Sequence, residues 1–385
     1  VRIAIFDYAI TPNNPVGSCH RHMLAALCRN HEFTVFAVEF DNPCPERIRF
    51  VRVPAIRRPL AALFLNYQII APMIYFFHRL RRRVHYDLVQ FVESNLSFGD
   101  VCYSHFCHRA YLKEHWTRVS RRGIRAALRW LNHWLHAVLE PRVYRKARWI
   151  IVPSVGLKRI LEMQYLFVRS KVTVVPNPVD LRQWEAVNFD REGFRKAMGF
   201  QPDDIVLVFV ALGNFEHKGL KIILEALKIV GDCYRLIVVG GYPDLVKEWR
   251  TKTLKMGLVD VVHYVGMQKD IRPYLWAADL FVLPSQYETF PLVALQAAAA
   301  GLPLLVTRLH GVEEFMLDCE TGFTVERSRE SVARGLRRFG VLTPHERKLM
   351  GQRAREAVQR YDVGAFVEAW RRFYHDIESE LQRGK

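Results

Sequence analysis

The segment Leu280-Phe281-Val282-Leu283-Pro284-Ser285-Gln286-Tyr287-Glu288-Thr289-Phe290-Pro291-Leu292-Val293-Ala294-Leu295-Gln296 passes from an apolar run of strand length into a helix that continues through an alanine run to Gly301. Pro291 suits the first helical turn, where a missing N–H is no loss, and Gly301 suits a helix end. The free N–H groups and positive end of such a helix form a phosphate site. Glu288 just before the helix and Gln296 about two turns into it are placed to hydrogen-bond hydroxyls of a ligand.

Outward from this segment the same alternation recurs on both sides. Apolar runs of strand length stand at Ile205–Ala211, Leu236–Val239, Val261–Val265 and Leu304–Val306, with helical stretches such as Leu220–Val230 and Leu292–Ala300 between them. Towards the N-terminus they stand at Ile3–Phe6, Phe33–Phe40, Asp87–Val92, Val101–His105, Trp149–Val152 and Val172–Val175. Strands alternating with helices twice over predict an α/β protein with two parallel, doubly wound, Rossmann-like sheets. Pro176-Asn177-Pro178-Val179-Asp180 interrupts any helix and predicts the crossing between them. The expected domains are therefore 1–177 and 178–362. Residues 363–385 should form a helix, rich in Phe366, Trp370, Phe373 and Tyr374, that packs back on the first domain. Ligands of such sheets bind at the carboxyl ends of the strands, so two facing domains are expected to share a cleft.

The 385 residues are half apolar and a quarter charged, the balance of a folded globular chain long enough for two cores. Charge is unevenly distributed. Residues 1–177 carry 27 Lys+Arg against 11 Asp+Glu, while residues 178–385 carry 29 against 28. A field of one sign over the first half attracts an anionic partner: a phosphorylated acceptor, an acidic membrane surface or nucleic acid. No nucleic-acid reader motif accompanies the charge, so nucleic acid is not expected. The seven cysteines are scattered, with no Cys-x-x-Cys pair, and read as free thiols. The chain opens on a strand and not on the order of a secretory signal, which predicts a cytoplasmic protein.

The motif at 284–296 resembles the signature of the family 4 retaining glycosyltransferases of the GT-B fold, in which a Glu, seven residues and a second Glu occupy this strand-to-helix setting. The resemblance assigns Glu288 to the transferred sugar and position 296, here Gln, to the ribose. Thr289, Phe290, Leu292 and Val293 then fall among the residues that line the donor. Ala211-Leu212-Gly213-Asn214-Phe215-Glu216-His217-Lys218-Gly219 resembles the family's loop of an Arg followed by a Lys-Gly pair. Lys218 keeps its place on the donor diphosphate, and Asn214, beside Gly213, stands where the Arg often is. Gly240 in the Gly240-Gly241 turn and Met267 in Tyr264-Val265-Gly266-Met267 fit the same order as donor-binding positions. In the first half, Gly17 in Asn14-Pro15-Val16-Gly17-Ser18 resembles the glycine loop that approaches the donor phosphates. His105, in Tyr103-Ser104-His105-Phe106-Cys107-His108, holds the place of a His directed at the sugar or acceptor, with His108 as the alternative.

The resemblance implies transfer of a sugar from a nucleotide-diphosphate donor, a uridine donor by frequency in the family, to a hydroxyl of a glycan or lipid-linked glycan, with the anomeric configuration retained. His105, Lys218 and Glu288 would be the catalytic group. No Asp-x-Asp follows a strand and the Cys102, His105, Cys107, His108 spacing matches no common zinc pattern, so neither metal nor cofactor is expected. Two alternatives share the fold: a sugar-nucleotide epimerase, and a catalytically weak nucleotide-sugar-binding protein in which Gln296 and Asn214 have replaced charged groups. Residues 59–83 combine an apolar stretch with the basic end Arg79-Leu80-Arg81-Arg82-Arg83, and Trp116, Arg118, Arg121, Arg122, Arg125, Arg129, Trp130 and Trp134 form a second basic and aromatic stretch. Both suit an interfacial helix on an anionic membrane, which predicts peripheral attachment to the cytoplasmic face.

Overall fold

A computed structural model describes residues 1–116 and 123–383 and divides them into two compact units, Val1–Pro178 with Val363–Lys385, and Val179–Asp362. Arg118, Arg121 and Arg122 of the second basic stretch lie outside the described residues.

The first unit is a seven-stranded parallel sheet of β1 (Arg2–Ile10), β2 (Glu32–Phe40), β3 (Arg49–Arg52), β4 (Leu88–Val92), β5 (Val101–Tyr103), β6 (Trp149–Val152) and β7 (Val172–Val174). The spatial order is β3-β2-β1-β4-β5-β6-β7. Chain order reverses between β1 and β4, so the loops following them diverge and leave a crevice at their carboxyl ends. The helix Pro15–Leu27 that follows β1 is capped by Asn14, whose Oδ1 accepts from the Gly17 N–H at 2.9 Å. β5 ends at Tyr103, two residues short of the predicted strand. Ser104 still donates its N–H to Ile151 at 2.8 Å, and His105 stands beyond the pairing.

One face of the helix Leu60–Arg82 seats on the sheet through Phe64, Tyr67, Ala71 and Tyr75. Tyr67 donates its hydroxyl to the Phe36 carbonyl at 2.7 Å, and Tyr75 packs edge-on to Phe6 with ring centroids 5.5 Å apart. The opposite face exposes Leu65, Ile69, Met73, Phe76, Phe77 and Leu80. By length and composition this helix is long and apolar enough to cross a membrane. The long helix Val363–Arg383 closes the unit: Trp370 packs edge-on to Tyr103 with centroids 5.2 Å apart, and Tyr374 donates to Gln90 Oε1 at 2.8 Å. Burying each such aromatic contributes about 1.5–3 kcal/mol, which explains why a segment remote in sequence belongs to this unit.

The second unit is a six-stranded parallel sheet of β8 (Ile205–Val210), β9 (Tyr234–Val239), β10 (Val262–Gly266), β11 (Leu280–Leu283), β12 (Leu304–Val306) and β13 (Gly322–Thr324), ordered β10-β9-β8-β11-β12-β13. β8, β11 and β12 are buried throughout, and β9 at every position but Arg235, as continuous apolar runs covered on both faces require. Here the order reverses between β8 and β11, whose following loops are the two glycosyltransferase-like motifs.

Candidate active site

In the second unit the backbone brings the two motifs together at the switch point. Asn214, in the left-handed region at φ 53°, starts a single turn, Phe215–Lys218, and Gly219 at φ +90° ends it before the helix Leu220–Val230. A Cβ on Gly219 would stand 2.3 Å from the Pro284 carbonyl, so only glycine lets the loop after β8 touch the loop after β11. Gln286 then donates its N–H to the His217 carbonyl at 3.0 Å. The contact places Lys218 Nζ on Glu288 Oε1 as a short ion pair. Ser285 Oγ donates to the same oxygen at 2.8 Å, and Thr307 Oγ1 holds the Ser285 carbonyl at 2.7 Å. The two side chains are 26% and 13% exposed, so the pair is braced from below and reachable by a ligand.

The helix Leu292–Ala299 continues from this corner. Ala294, Leu295, Ala297 and Ala298 are buried, while Leu292, Val293 and Gln296 lie half-buried on the other face, with Glu288 and Thr289 just before the helix. Phe290 turns inward: its ring lies against Tyr361 with centroids 5.8 Å apart, and a Cβ on Gly311 would meet it at 2.5 Å. Its side chain is a packing element, leaving its backbone for any donor contact. Gly213 is in open space, whereas Gly240 at φ +101° stands so near the Ala211 carbonyl that a Cβ would be 2.0 Å away. Half-exposed Met267 lines a groove of about 1160 Å³ at the ends of β9 and β10, with Gly241, Val246, Arg250 and Gly266. Ser285 is a structural partner that sequence reading passed over although it stands inside the motif, and Gly219, read only as the Gly of the Lys-Gly pair, is the close-approach point of the two loops. Arg327, an exposed residue beside His217 that donates to the Glu216 carbonyl at 2.9 Å, carries no sequence signal.

In the first unit, Gly17 is a helix residue and not part of a loop. Its N–H is used by the Asn14 cap, and a Cβ would meet the Ala9 carbonyl at 2.1 Å, so its role in the fold is to let the helix close on β1. Beneath this turn runs a buried chain: His20 Nδ1 to Asp7 Oδ2 at 2.8 Å, Gln90 Nε2 to His20 Nε2 at 3.0 Å, and Tyr374 to Gln90. His105 is buried with its ring 4.2 Å from that of Tyr103, and its Nε2 has no hydrogen-bond partner among the described residues. Burial, with a smaller contribution from His20, holds its pKa down at about 3. The ring is a neutral imidazole with one nitrogen unspoken for. His108 is engaged differently: its backbone N–H donates to Glu140 Oε1 at 2.6 Å and its ring nitrogens face His133 and Glu93.

Comparison with known proteins agrees with both halves. Residues 17–183 match the family described as Glycosyltransferase Family 4, and residues 205–339 match the family described as Glycosyl transferases group 1. Among sequence relatives, an uncharacterised glycosyltransferase of Methanocaldococcus jannaschii is 26% identical over 81% of this chain and 81% of its own. The lipopolysaccharide glucosyltransferase WaaG of Escherichia coli is 23% identical over 81% of this chain and 82% of its own. The solved structure of WaaG, a glycosyltransferase involved in lipopolysaccharide biosynthesis, superimposes with a TM-score of 0.76 at 19% identity, covering 95% of this chain and 98% of that one. HepE of Anabaena in complex with UDP-glucose superimposes at 0.73 and 18% identity, covering 97% and 99%. The fold is GT-B, and with both sequence motifs and both family matches in chain order, the chain belongs to the family 4 glycosyltransferases.

Proposed function

We propose that this glycosyltransferase moves a sugar from a nucleotide-diphosphate donor, a UDP-sugar first among them, to a hydroxyl of a glycan or lipid-linked glycan, retaining the anomeric configuration and needing no metal on the diphosphate. The observation that carries the reading is the Lys218–Glu288 pair, one cation and one carboxylate fixed at the switch point beside the N-terminus of the helix Leu292–Ala299. Lys218 and the first-turn N–H groups neutralise the charge that grows on the departing diphosphate as its bond to C1 breaks. Glu288 accepts from sugar hydroxyls and fixes C1 over that charge. Gln296, on the same half-buried face, reaches the ribose, and the groove beside Met267 suits the base. The acceptor oxygen forms its bond to C1 on the face the diphosphate leaves, and a phosphate oxygen takes its proton. His105 offers its unpartnered Nε2 to a hydroxyl of sugar or acceptor.

The crystal complex of HepE with UDP-glucose favours a uridine donor here. Incubation with UDP-, GDP- and ADP-sugars, each with and without acceptor glycans, tests the reading. The expected result is release of one nucleoside diphosphate only when acceptor is present, with the donor's anomeric configuration in the product by proton NMR. Release without acceptor would favour an epimerase or hydrolase, and an inverted product would exclude the mechanism.

Attachment to an anionic membrane belongs to the same proposal and rests on a separate observation. The exposed face of the helix Leu60–Arg82 is a continuous apolar row ending in Arg79, Arg81, Arg82 and Arg83. The neighbouring helix Ile124–Lys146 exposes Leu131, Trp134 and Val138. An apolar row beside arginines is the pattern of an element lying in the headgroup region of an anionic leaflet, which suits peripheral attachment at the cytoplasmic face.

A further inference from the structure

At the carboxyl ends of β4 and β5 the first unit gathers a second polar cluster, which takes in His108, the alternative to His105 in the sequence, and none of the groups given a role in transfer. Glu93 follows β4 directly, His108 follows β5, and His133 and His136 stand one turn apart on the helix Ile124–Lys146. One ligand atom each from Glu93, His108 and His136 lies within 4.8 Å of the others. Glu93 Oε2 and His108 Nε2 are 3.3 Å apart, and the His108 and His136 rings are parallel, 7° between planes, with centroids 4.1 Å apart. A tetrahedral ion bound at about 2.0–2.1 Å separates its ligand atoms by about 3.4 Å, and because each Nε2 lone pair lies in its ring plane, binding one ion turns the two rings out of their parallel stack.

The outer contacts fit as well. His136 Nδ1 meets Ser94 Oγ at 2.7 Å and His108 Nδ1 meets His133 Nδ1 at 3.0 Å. With both Nδ1 atoms so engaged, each imidazole presents Nε2, the tautomer and orientation that a metal ligand needs. His108 and His136 are buried, and Glu93 is the partly exposed member, so a fourth position opens on its side.

We propose that Glu93, His108 and His136 bind one divalent transition-metal ion, zinc by ligand type, with a water in the fourth position and Ser94 and His133 orienting the two rings. The ion ties the helix Ile124–Lys146 to the carboxyl ends of β4 and β5. Its ligands are not the groups assigned to the donor, Lys218, Glu288 and Gln296 in the other unit, nor His105, and the site stands whether or not sugar transfer is metal-free.

The test uses the full chain, stripped of metal with a chelator and dialysed. Calorimetric titration with zinc, and with cobalt followed by visible absorption, should give one equivalent bound, tetrahedral cobalt bands and a raised Tm. The Glu93→Gln and His136→Gln variants should lose this binding. Because removing a buried ring can also cost folding, Ser94→Ala serves as the second variant: it keeps all three ligands, and zinc should bind tenfold to a hundredfold more weakly. Absence of stoichiometric zinc binding in the parent protein would overturn the proposal, as would binding of equal strength in Ser94→Ala and Glu93→Gln.

Discussion

Lys218 and Glu288 stand 70 positions apart, yet each was legible because each sits in a local strand-to-helix motif whose residue types name its chemistry. What sequence could not show was that they meet, since that depends on Gly219 lying against the Pro284 carbonyl. Lys218→Ala should lower kcat/KM by about 100- to 1000-fold, the cost of removing one preorganised group from a developing anion, with Tm little changed. Glu288→Gln should lower it to a similar extent, and normal turnover in either variant would remove that residue from the site. Gln296→Glu restores a charge-assisted hydrogen bond, for which donor affinity measured by calorimetry should rise by roughly fivefold. The cluster of Glu93, His108 and His136 was invisible at this scale because its members come from three elements with no shared spacing.

His105 adds a pH dependence with a definite sign. Its folded pKa, about 3, lies below the ordinary histidine value of 6.5, so below pH 6.5 the unfolded chain takes up a proton that the folded chain refuses. The stability this ring contributes is present above pH 6.5 and is lost as pH falls towards 3, at about 1.4 kcal/mol per pH unit within that window. Denaturant melts of the parent and His105→Asn between pH 4.5 and 7 should show a shallower acid limb in the variant. Parallel limbs would mean that His105 is protonated in the folded protein.

Among the elements, the long apolar strands and the helices Leu220–Val230 and Leu292–Ala299 follow from periodicity alone, and the structure adds two strands that periodicity missed. β3, Arg49–Arg52, is an edge strand whose charges break the apolar pattern, and β13 is three residues long and begins on a glycine. Both pair because a neighbouring strand already presents its edge, which is tertiary information. The β8-to-helix connection depends on one backbone conformation. Gly219→Ala should therefore destabilise the protein by about 1–3 kcal/mol and weaken donor binding together, since the loop cannot keep φ +90° and its contact with Pro284. The stretch 59–83 read as an interfacial helix, and the structure gives the helix Leu60–Arg82 a second face, seated on the sheet. Replacing Phe77 and Leu80 with Ser should abolish flotation with anionic liposomes at low salt while leaving Tm unchanged. Flotation equal to the parent's would discount that face.

For the molecule as a whole, two Rossmann-like sheets were readable because strand and helix alternate twice with prolines between. The excess positive charge of residues 1–177 was readable too, as were the two basic stretches at 79–83 and 116–134, which belong to the segments that follow β3 and β5. Sugar transfer by this chain depends on donor recognition by the second unit, which calorimetry of UDP, GDP and ADP against the parent and Lys218→Ala, with and without added magnesium, measures. One diphosphate, UDP, should bind at micromolar concentration, indifferent to magnesium and at least tenfold more weakly in the variant. Failure of all three to bind, or binding that Lys218→Ala leaves unchanged, would contradict it.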